Sequence, residues 1–351
     1  MVKKLEQSFA AFVGVKYTIA VNSGTSALEV PLRCLNDERG FFLVKVMVTG
    51  GAGFIGSHIV DALVNEGYEV VIVDNLNTGT RQNINPKARF YEVNICSPEL
   101  ARVFESEGPQ IVCHQAAQTI ISRSVADPLF DANVNILGSI NLISNCLRYG
   151  VKKIIYASSG GAVYGEPKHL PANEKHPVDP LSQYGASKHT VEHYLYLYWL
   201  QHGLEYVTLR YSNIYGPRQN PAGEAGVIAI FTGQMLRGER PTIFGKGDKT
   251  RDYTYVADIA RANVLAIPAG KTGIYNLGTG VETSDRQIFD MVALNLGYKG
   301  DPNFTPVRKG EIYRICLDSS KAKAELGWQP LTPVKEGIAR TVAFLRDKRQ
   351  V

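Results

Sequence analysis

A tyrosine and a lysine four positions apart are the side chains whose types and spacing most directly suggest chemistry in this sequence. Tyr184 and Lys188 are the two ends of the segment Tyr-Gly-Ala-Ser-Lys. On a helix, residues i and i+4 lie on the same face, so the phenol and the ammonium would point the same way. A nearby ammonium lowers the pKa of a phenol, and Tyr184 could then act as a general base towards a substrate hydroxyl. Alone, this spacing is common and usually marks an exposed helix.

A glycine-rich segment near residue 50 predicts a binding site for a dinucleotide. Gly50, Gly53 and Gly56 follow the β-rich run 45–49 with the spacing GxxGxxG, and a helical pattern over 57–66 comes next. In such a motif the first glycine turns the chain out of the strand, the second lets backbone approach a pyrophosphate, and the third lets helix and strand pack closely. The helix N-terminus then favours the phosphates. The alternative is a glycine turn without a ligand.

An acidic residue at the end of the next β-rich run indicates which dinucleotide would bind. Asp74 closes the run 68–74. A carboxylate there accepts hydrogen bonds from the ribose 2′-OH of NAD and would repel the 2′-phosphate of NADP. The sequence therefore predicts NAD, and its oxidised nicotinamide would add a second positive charge beside Tyr184.

The elements that must position these residues alternate between strands and helices. The almost continuous apolar run 68–74 is typical of a strand in a parallel sheet that is covered on both faces. Alternation of this kind predicts an α/β fold with a Rossmann-type doubly wound parallel sheet, which we assign to an NAD-binding domain over 44–215. The remaining β-rich runs are 88–93, 111–114, 153–157 and 206–211.

Beyond residue 216 the pattern changes. Gly and Pro become frequent and the alternation weakens, which predicts a smaller C-terminal α/β substrate-binding domain over 216–351 with some segments returning to the core. A helix is expected near 319–326, ending at Gly327.

The first 43 residues form a separate N-terminal extension. A helical pattern and a short strand lead to the run Asn-Ser-Gly-Thr at 22–25. This stretch resembles the start of the sugar aminotransferases that use pyridoxal phosphate, where such a turn holds the cofactor phosphate. The rest of such an enzyme, including its Schiff-base lysine, does not follow. We therefore interpret 1–43 as a fusion remnant or a misassigned translation start, with the natural start near Val44.

Composition excludes several other classes of protein. The 351 residues carry a net charge of +5 without a basic run, which argues against a nucleic-acid partner. The 5 cysteines show no CxxC spacing, so no metal site or disulfide framework is expected and a cytoplasmic location fits. No apolar run is long enough for a membrane span.

Together these motifs resemble the extended short-chain dehydrogenases/reductases, specifically the NAD-dependent epimerase/dehydratase family and within it the UDP-glucose 4-epimerase group. The likeness covers residues 44 to about 345. It is carried by TGGAGFIG at 49–56, DNL at 74–76, HQAA at 114–117, SSGGAVYG at 158–165, YGASK at 184–188, LRYSNIYGPRQ at 209–219, TRDYTYV at 250–256 and ELGW at 325–328.

The resemblance implies a set of roles. Tyr184 would be the base, Lys188 would bind the nicotinamide ribose, and the hydroxyl of Ser159, or alternatively Ser158, would orient the sugar. Further residues that would line the cofactor are Phe54, Ile55, Asn75, Asn94, Ile95, Ala116, Ala117, Asn135 and Tyr211. Residues that would contact the UDP-sugar are Asn213, Thr242, Phe244, Arg251, Arg308 and Glu311.

Three positions depart from the family pattern, and one of them is Gln183, which replaces a common proline just before Tyr184. Gly160 stands where many members carry a third hydroxyl, and Asn94 stands where an aspartate usually contacts adenine; an asparagine can still accept a hydrogen bond.

The implied activity is epimerisation at C4 of a UDP-sugar through a 4-keto intermediate, with UDP-glucose and UDP-galactose as the first expectation. A dehydratase or decarboxylase remains an alternative, but the dehydratases need an acid where this chain has 160–162 (Gly-Gly-Ala). A non-catalytic NAD-binding sensor is the second alternative, although such proteins typically lose the Tyr or the Lys. The preferred sugar stays open, with Ile315 at a position that often gates an N-acetyl group. A homodimer is expected, and the aromatic helix at 189–200 would be half of its interface or part of the core.

Overall fold

The strands of the protein are short and mostly parallel. The structure, a computed structural model, describes residues 44–221, 226–307 and 312–348. The N-terminal extension and the proposed substrate residues Arg308 and Glu311 lie outside these ranges. The strands are β1 (Lys45–Thr49), β2 (Glu69–Asp74), β3 (Arg89–Glu92), β4 (Ile111–His114), β5 (Lys153–Ser159), β6 (Glu205–Tyr211), β7 (Asn213–Tyr215), β8 (Thr242–Phe244), β9 (Thr250–Arg251), β10 (Tyr253–Tyr255), β11 (Gly273–Leu277), β12 (Thr283–Ser284) and β13 (Asn303–Thr305).

Seven of these strands form one parallel sheet in the order β11-β6-β5-β4-β1-β2-β3. From β3 to β6 this is the 3-2-1-4-5-6 order of a doubly wound nucleotide-binding sheet, so the predicted fold class is confirmed. The strand order reverses between β1 and β4, and ligands of such sheets bind at the carboxyl ends of the strands at this point. The candidate site must therefore be built from the loops after β1 and β4.

Helices cover both faces of the sheet. They are α1 (Phe54–Asn65), α2 (Leu100–Glu107), α3 (Ile121–Ala126), α4 (Pro128–Ala132), α5 (Gly138–Arg148), α6 (Gly160–Tyr164), α7 (Gln183–His202), α8 (Val227–Leu236), α9 (Val256–Ala266), α10 (Asp285–Leu296), α11 (Ser320–Leu326) and α12 (Val334–Lys348). A π-helical turn at Asn133–Leu137 joins α4 to α5. No helix in the described part of the chain is long and apolar enough to cross a membrane.

Alternate side chains of the central strand β1 enter two different cores. Val46 and Val48 pack with α1 and α9 on one face, whereas Met47 packs with α2, α5 and α7 on the other. Both faces of the large sheet are buried under helices. This explains why its strands have continuous apolar sequences rather than alternating ones.

Glycines and a serine set the ends of the helices that carry the candidate site. Helix α1 begins directly after Gly53, three residues before the predicted start at Ser57, and Gly67 adopts a positive φ of +85° just beyond its end. Helix α7 begins after Ser182, whose hydroxyl accepts a hydrogen bond from the N–H of Gly185. Helix α11 ends at Gly327, as predicted.

The segments after residue 216 serve two cores. Helices α8, α10 and α12 enclose an apolar core of their own. Strand β11 nevertheless joins the edge of the large sheet beside β6, and α9 packs on α1. The small pairs β7–β10, β9–β12 and β8–β13 lie outside the large sheet.

Candidate active site

The loops after β1 and β4 approach each other so closely that only glycine fits at their contact. Gly50 has a φ of +70°, and a Cβ atom there would lie 2.7 Å from the backbone nitrogen of Ala116. At Gly56 a Cβ atom would lie 2.1 Å from the carbonyl oxygen of Gly50, so the first turn of α1 packs directly on the loop. No side chain caps the N-terminus of α1. The turn and close packing predicted from the glycine spacing are therefore present.

Asp74 lies at the edge of this glycine loop. Its carboxylate accepts hydrogen bonds from the backbone N–H groups of Ala52 at 3.0 Å and Leu76 at 2.8 Å. Burial raises the pKa of the Asp74 carboxyl, and these two hydrogen bonds oppose that effect. The carboxylate is thus held in one orientation beside the loop.

Asn135, one of the predicted cofactor residues, is hydrogen-bonded to the loop after β4. Its side-chain oxygen accepts from the N–H of Gln118 at 2.8 Å, and its amide donates to the carbonyl of Gln118 at 2.9 Å. Asn135 is buried and lies in the π-helical turn, a distortion frequent at functional sites. It positions the loop that contains Ala116 and Ala117.

His114, at the end of β4, is fixed as a neutral imidazole. The hydroxyl of Ser139 donates to the carbonyl of Asn135 at 2.6 Å, so Nε2–H of His114 donates to Ser139 at 2.9 Å. Nδ1 then accepts from the hydroxyl of Thr49 at 2.8 Å. Burial, helped by the charge of Lys188, lowers the pKa of His114 to about 3. His114 is therefore a structural link between β1, β4 and α5.

The tyrosine and the lysine share one face of the first turns of α7. The Lys188 ammonium lies 5.9 Å from the ring centre of Tyr184 and 5.0 Å from that of Tyr156, and it donates to the carbonyl of Ala157 at 2.9 Å. The hydroxyl of Ser159 hydrogen-bonds that of Tyr184. The end of β5 and the start of α7 thus bring a phenol, an ammonium and a hydroxyl together.

The expected lowering of the Tyr184 pKa by Lys188 is wrong for the protein alone. Burial raises the pKa of Tyr184 to about 12, and only the hydrogen bond with Ser159 opposes the change. Burial also lowers the pKa of Lys188 to about 8, while the negative charges of Asp131 and Glu192 raise it. At neutral pH both groups therefore carry their protons.

The structure separates the two candidate serines. The buried hydroxyl of Ser158 donates to the carboxylate of Glu192 at 2.6 Å, which turns it away from Tyr184. Ser159 stays beside Tyr184 and also accepts from the N–H of Ala162 at 3.4 Å. The geometry favours Ser159 as the hydroxyl that would meet a substrate.

The other predicted cofactor residues differ in how they are held. Phe54 and Ile55 begin the first turn of α1, and Ile95 is a buried residue of the loop after β3. The side-chain oxygens of Asn75 and Asn94 accept from the backbone N–H groups two residues later, at 3.1 Å and 2.9 Å.

Tyr211 is buried in the core beside α9. Its hydroxyl donates to the side-chain oxygen of Gln115 at 3.3 Å and accepts from the amide of Asn263 at 2.9 Å. Tyr211 therefore holds Gln115, which belongs to the loop after β4, against the buried core.

Of the predicted substrate residues, Asn213, Thr242, Phe244 and Arg251 lie on the small strand pairs. Thr242 and Phe244 are the ends of β8, and the exposed Asn213 begins β7. The guanidinium of Arg251 donates to the carbonyl oxygens of Thr250 at 2.8 Å and Ile312 at 2.6 Å. Arg251 thus ties β9 to the chain that follows the undescribed segment 308–311.

Sequence reasoning missed three buried charged residues around the tyrosine and lysine. They are Asp131 on α4, Glu192 on α7 and Arg210 on β6. Two of them had a usable signal, because Asp131 stands four positions before Asn135 and Glu192 stands four positions after Lys188.

Comparison with known proteins gives two family matches. A sequence model of the DegT/DnrJ/EryC1/StrS aminotransferase family matches residues 1–88, in line with the resemblance seen at the N-terminus. A sequence model of the NAD dependent epimerase/dehydratase family matches residues 46–278.

Individual relatives agree with the second match. A putative UDP-glucose 4-epimerase of Methanocaldococcus jannaschii is 48% identical over 305 residues, which cover 87% of this chain and 99% of that protein. The structure of UDP-glucose 4-epimerase from Thermotoga maritima with UDP-glucose shows 46% identity and a TM-score of 0.86, with 87% of this chain and 99% of that one covered. The Thermus thermophilus UDP-glucose 4-epimerase complex with NAD shows 45% identity and a TM-score of 0.82, covering 86% and 99%. With the glycine loop, Asp74 and the Tyr184–Lys188 pair in place, the chain belongs to the NAD dependent epimerase/dehydratase family.

Proposed function

We propose that this protein interconverts UDP-glucose and UDP-galactose by NAD-dependent epimerisation at C4, through a 4-keto sugar. The observation that carries the proposal is the meeting of Tyr184, Lys188 and Ser159 at the end of β5, beside the glycine loop of a dinucleotide site. The similar structures that hold UDP-glucose and NAD support the choice of substrate and cofactor.

The residues present fit NAD. The uncapped N-terminus of α1 offers backbone N–H groups to a pyrophosphate, and the carboxylate of Asp74 would accept hydrogen bonds from the ribose hydroxyls. When bound, NAD supplies a reversible hydride acceptor for C4 and, in its oxidised form, a positive charge close to Tyr184. Such a charge would lower the pKa of the buried phenol.

Within this setting the protein's own groups handle the proton. Tyr184 would take the proton of the 4-OH and later return it, and Ser159 would hold the 4-oxygen in line with the phenol. Lys188, anchored on the carbonyl of Ala157, would keep its ammonium near both the phenol and the cofactor ribose. Return of hydride to the opposite face of C4 requires the keto sugar to turn while its diphosphate stays bound.

The family includes dehydratases, so membership alone does not distinguish an epimerase from a dehydratase. The residue at position 160 argues against dehydratase chemistry. Gly160 has no side chain that could donate a proton, and a Cβ atom there would lie 2.5 Å from Cδ1 of Leu317, so a carboxylate at this position would require Leu317 to move. Gly161 and Ala162 carry no acid either. A non-catalytic sensor is disfavoured because Tyr184 and Lys188 are both present and aligned.

For the substrate we propose the residues that the resemblance implies. Arg251 and Arg308 would bind the diphosphate, Glu311 the uridine ribose and Asn213 the sugar, while Thr242 and Phe244 would flank the uracil; residues 216–351 would form the substrate-binding domain against an NAD-binding domain over 44–215. Ile315 is buried, and a Cβ atom at Gly161 would lie 3.8 Å from it. Residue 315 thus lies beside the serine-rich turn, where its size would act on an N-acetyl group as the resemblance implies.

We further propose a homodimer formed through helices on one face. Exposed apolar side chains cluster on α3, α4 and α7, which contact one another. The exposed fractions are 57% for Val125, 82% for Leu129, 41% for Tyr196, 40% for Trp199 and 61% for Leu200. A reducing location such as the cytoplasm is proposed from the four described cysteines, all of which are free thiols.

The test of the function is incubation of the purified protein with UDP-galactose, followed by separation of the sugars. Conversion towards an equilibrium mixture with UDP-glucose is expected, reached from either sugar. A panel with the N-acetylated sugars and UDP-glucuronate would rank the substrates. Bound NAD without conversion of any of them would favour the sensor, and loss of water from the sugar would favour the dehydratase.

Ser159→Ala and Ser158→Ala should have different effects. Removing the hydroxyl beside Tyr184 is expected to lower kcat by about 10²-fold with little change in stability. Removing that of Ser158 leaves a buried carboxylate short of one donor and should cost about 1–3 kcal/mol of stability. Steady-state kinetics and urea unfolding would measure both. The reverse result, with catalysis lost in Ser158→Ala alone, would contradict the assignment of Ser159.

A further inference from the structure

Two cations and two anions are buried around Tyr184. Lys188, Arg210, Asp131 and Glu192 are each at least nine-tenths buried. A buried charge is tolerated when an opposite charge and hydrogen bonds compensate for the lost water. The question is therefore which anion balances which cation.

Glu192 and Arg210 balance each other directly. The guanidinium donates twice to the carboxylate, from Nε at 2.9 Å and from Nη2 at 2.6 Å. Such a two-point contact is the strongest form of carboxylate–arginine pairing. Ser158 and His189 complete the surroundings of this carboxylate. Glu192 and Arg210 therefore neutralise each other. The charges that remain to be balanced are those of Lys188 and Asp131.

Lys188 and Asp131 each have neutral polar partners. The ammonium donates to the carbonyl of Ala157. The carboxylate of Asp131 accepts from Gln118 at 2.9 Å, Asn135 at 3.0 Å and Ser187 at 2.6 Å. These neutral groups satisfy hydrogen bonds but supply no opposite net charge.

The three donors to Asp131 come from three segments of the candidate site. Gln118 belongs to the loop after β4, Asn135 to the π-helical turn and Ser187 to the first turns of α7, next to Lys188 in the chain. One carboxylate thus joins the loop expected at the cofactor to the helix that carries Tyr184.

We propose that Asp131 is a positioning residue of this site, whose carboxylate balances the buried charge of Lys188 and fixes α7 against the loop after β4. The consequence for the rate rests on the proposed function, whereas the charge balance does not. Without the carboxylate, Lys188 would be a buried cation, and Glu192, the other carboxylate whose charge acts on it, is already paired with Arg210.

The ionisable groups that face Lys188 come from every element packed around it, and most are fixed in charge. His114 is neutral, the phenol of Tyr156 stays protonated because burial raises its pKa strongly, and the Glu192–Arg210 pair has no net charge. A change in the charge of residue 131 should therefore act mainly on Lys188 and Tyr184.

The test is a double-mutant cycle of thermal stability with Asp131→Asn, Lys188→Met and the double variant. Asp131→Asn should lower Tm by roughly 5 °C or more, because an unbalanced cation is left buried. Removing the cation as well should restore at least about half of the lost Tm, since charge balance returns. A carboxylate that served hydrogen bonding alone would give no such recovery, and this outcome would overturn the proposal. If Asp131→Asn does not fold, the double variant should still fold; failure of both to fold would likewise count against it.

Two further substitutions of carboxylates, at Asp127 and Glu192, test whether Asp131 is the anion that balances Lys188. Asp127→Asn changes an exposed carboxylate four positions earlier, which caps α4 through the N–H of Phe130, and asparagine caps equally well. It should show no coupling to Lys188→Met. Recovery of Glu192→Gln by Lys188→Met, without recovery of Asp131→Asn, would assign the balancing charge to Glu192 instead and overturn the proposal.

A second readout is the pH profile of kcat. Loss of a nearby anion destabilises the ammonium, so the pKa of Lys188, about 8 in the protein, should fall in Asp131→Asn. Activity that requires the ammonium of Lys188 falls as the pH rises through its pKa. In Asp131→Asn this fall in kcat should occur at a pH lower by about one unit or more. An unchanged alkaline limb in a folded, active variant would contradict the charge role. If the wild-type protein epimerises no sugar, the proposed function fails while the stability cycle still decides on Asp131.

Discussion

Tyr184→Phe is expected to abolish most of the epimerisation while the protein keeps its fold and its NAD. We propose that the phenol takes the 4-OH proton, and a positioned general base contributes about 10²–10⁴-fold to the rate. Phenylalanine fills the same space, and the hydroxyl that disappears has the side chain of Ser159 as its partner. Turnover would be followed by sugar analysis, and NAD by its release from the denatured protein.

Tyr156→Phe is the matched control for this substitution. Tyr156 is a buried phenol whose ring also lies near the Lys188 ammonium, at 5.0 Å, but it belongs to the middle of β5. Its loss should affect the rate far less. Epimerisation by Tyr184→Phe at near the wild-type rate would show that another group is the base.

Gly56→Ala is expected to lower both stability and the amount of NAD that copurifies with the protein. The added Cβ atom would lie 2.1 Å from the carbonyl oxygen of Gly50, so α1 and the glycine loop would have to separate. Both sides of this contact are backbone, and the loop is held by the hydrogen bond from the N–H of Gly50 to the carbonyl of Val73 at 2.8 Å. We expect the free energy of unfolding to fall by about 3 kcal/mol or more, which is at the upper end for substitutions that overpack a site.

The measurements are urea unfolding and the ratio of NAD to protein after purification. Gly270→Ala is the matched control, because a Cβ atom there would meet no other atom within 4 Å. Gly53→Ala should be intermediate, with its nearest contact at 3.1 Å. Wild-type stability and NAD content in Gly56→Ala would contradict the close packing of helix and loop.

The fold was predictable because its main signals are local. The strands at 45–49 and 111–114 have the bounds of the β-rich runs that predicted them, and the glycine run marks the turn into α1. The sequence predicted that some segments after residue 216 return to the core. Local pattern did not show which strand returns or that it pairs with β6, because the two strands are far apart in the chain.

The candidate site was predictable in its residue types but not in its energetics. The spacing of Tyr184 and Lys188 gave their common face, yet it could not show that burial, rather than the ammonium, dominates the pKa of the tyrosine. The two adjacent serines became distinguishable only when Glu192 was seen to engage one of them. The role of Asp131 likewise depends on three donors from separate segments.

The packing of α9 on α1, together with the late strand β11, has a consequence for how the chain folds during synthesis. The apolar side of α1 is covered by a helix that leaves the ribosome about two hundred residues later, and contacts so distant in sequence slow folding. A nascent chain that ends near residue 215 would therefore expose the apolar side of α1 and the edge of β6 to water and to chaperones. The chain can complete the large sheet only after β11, which ends at Leu277, has been made.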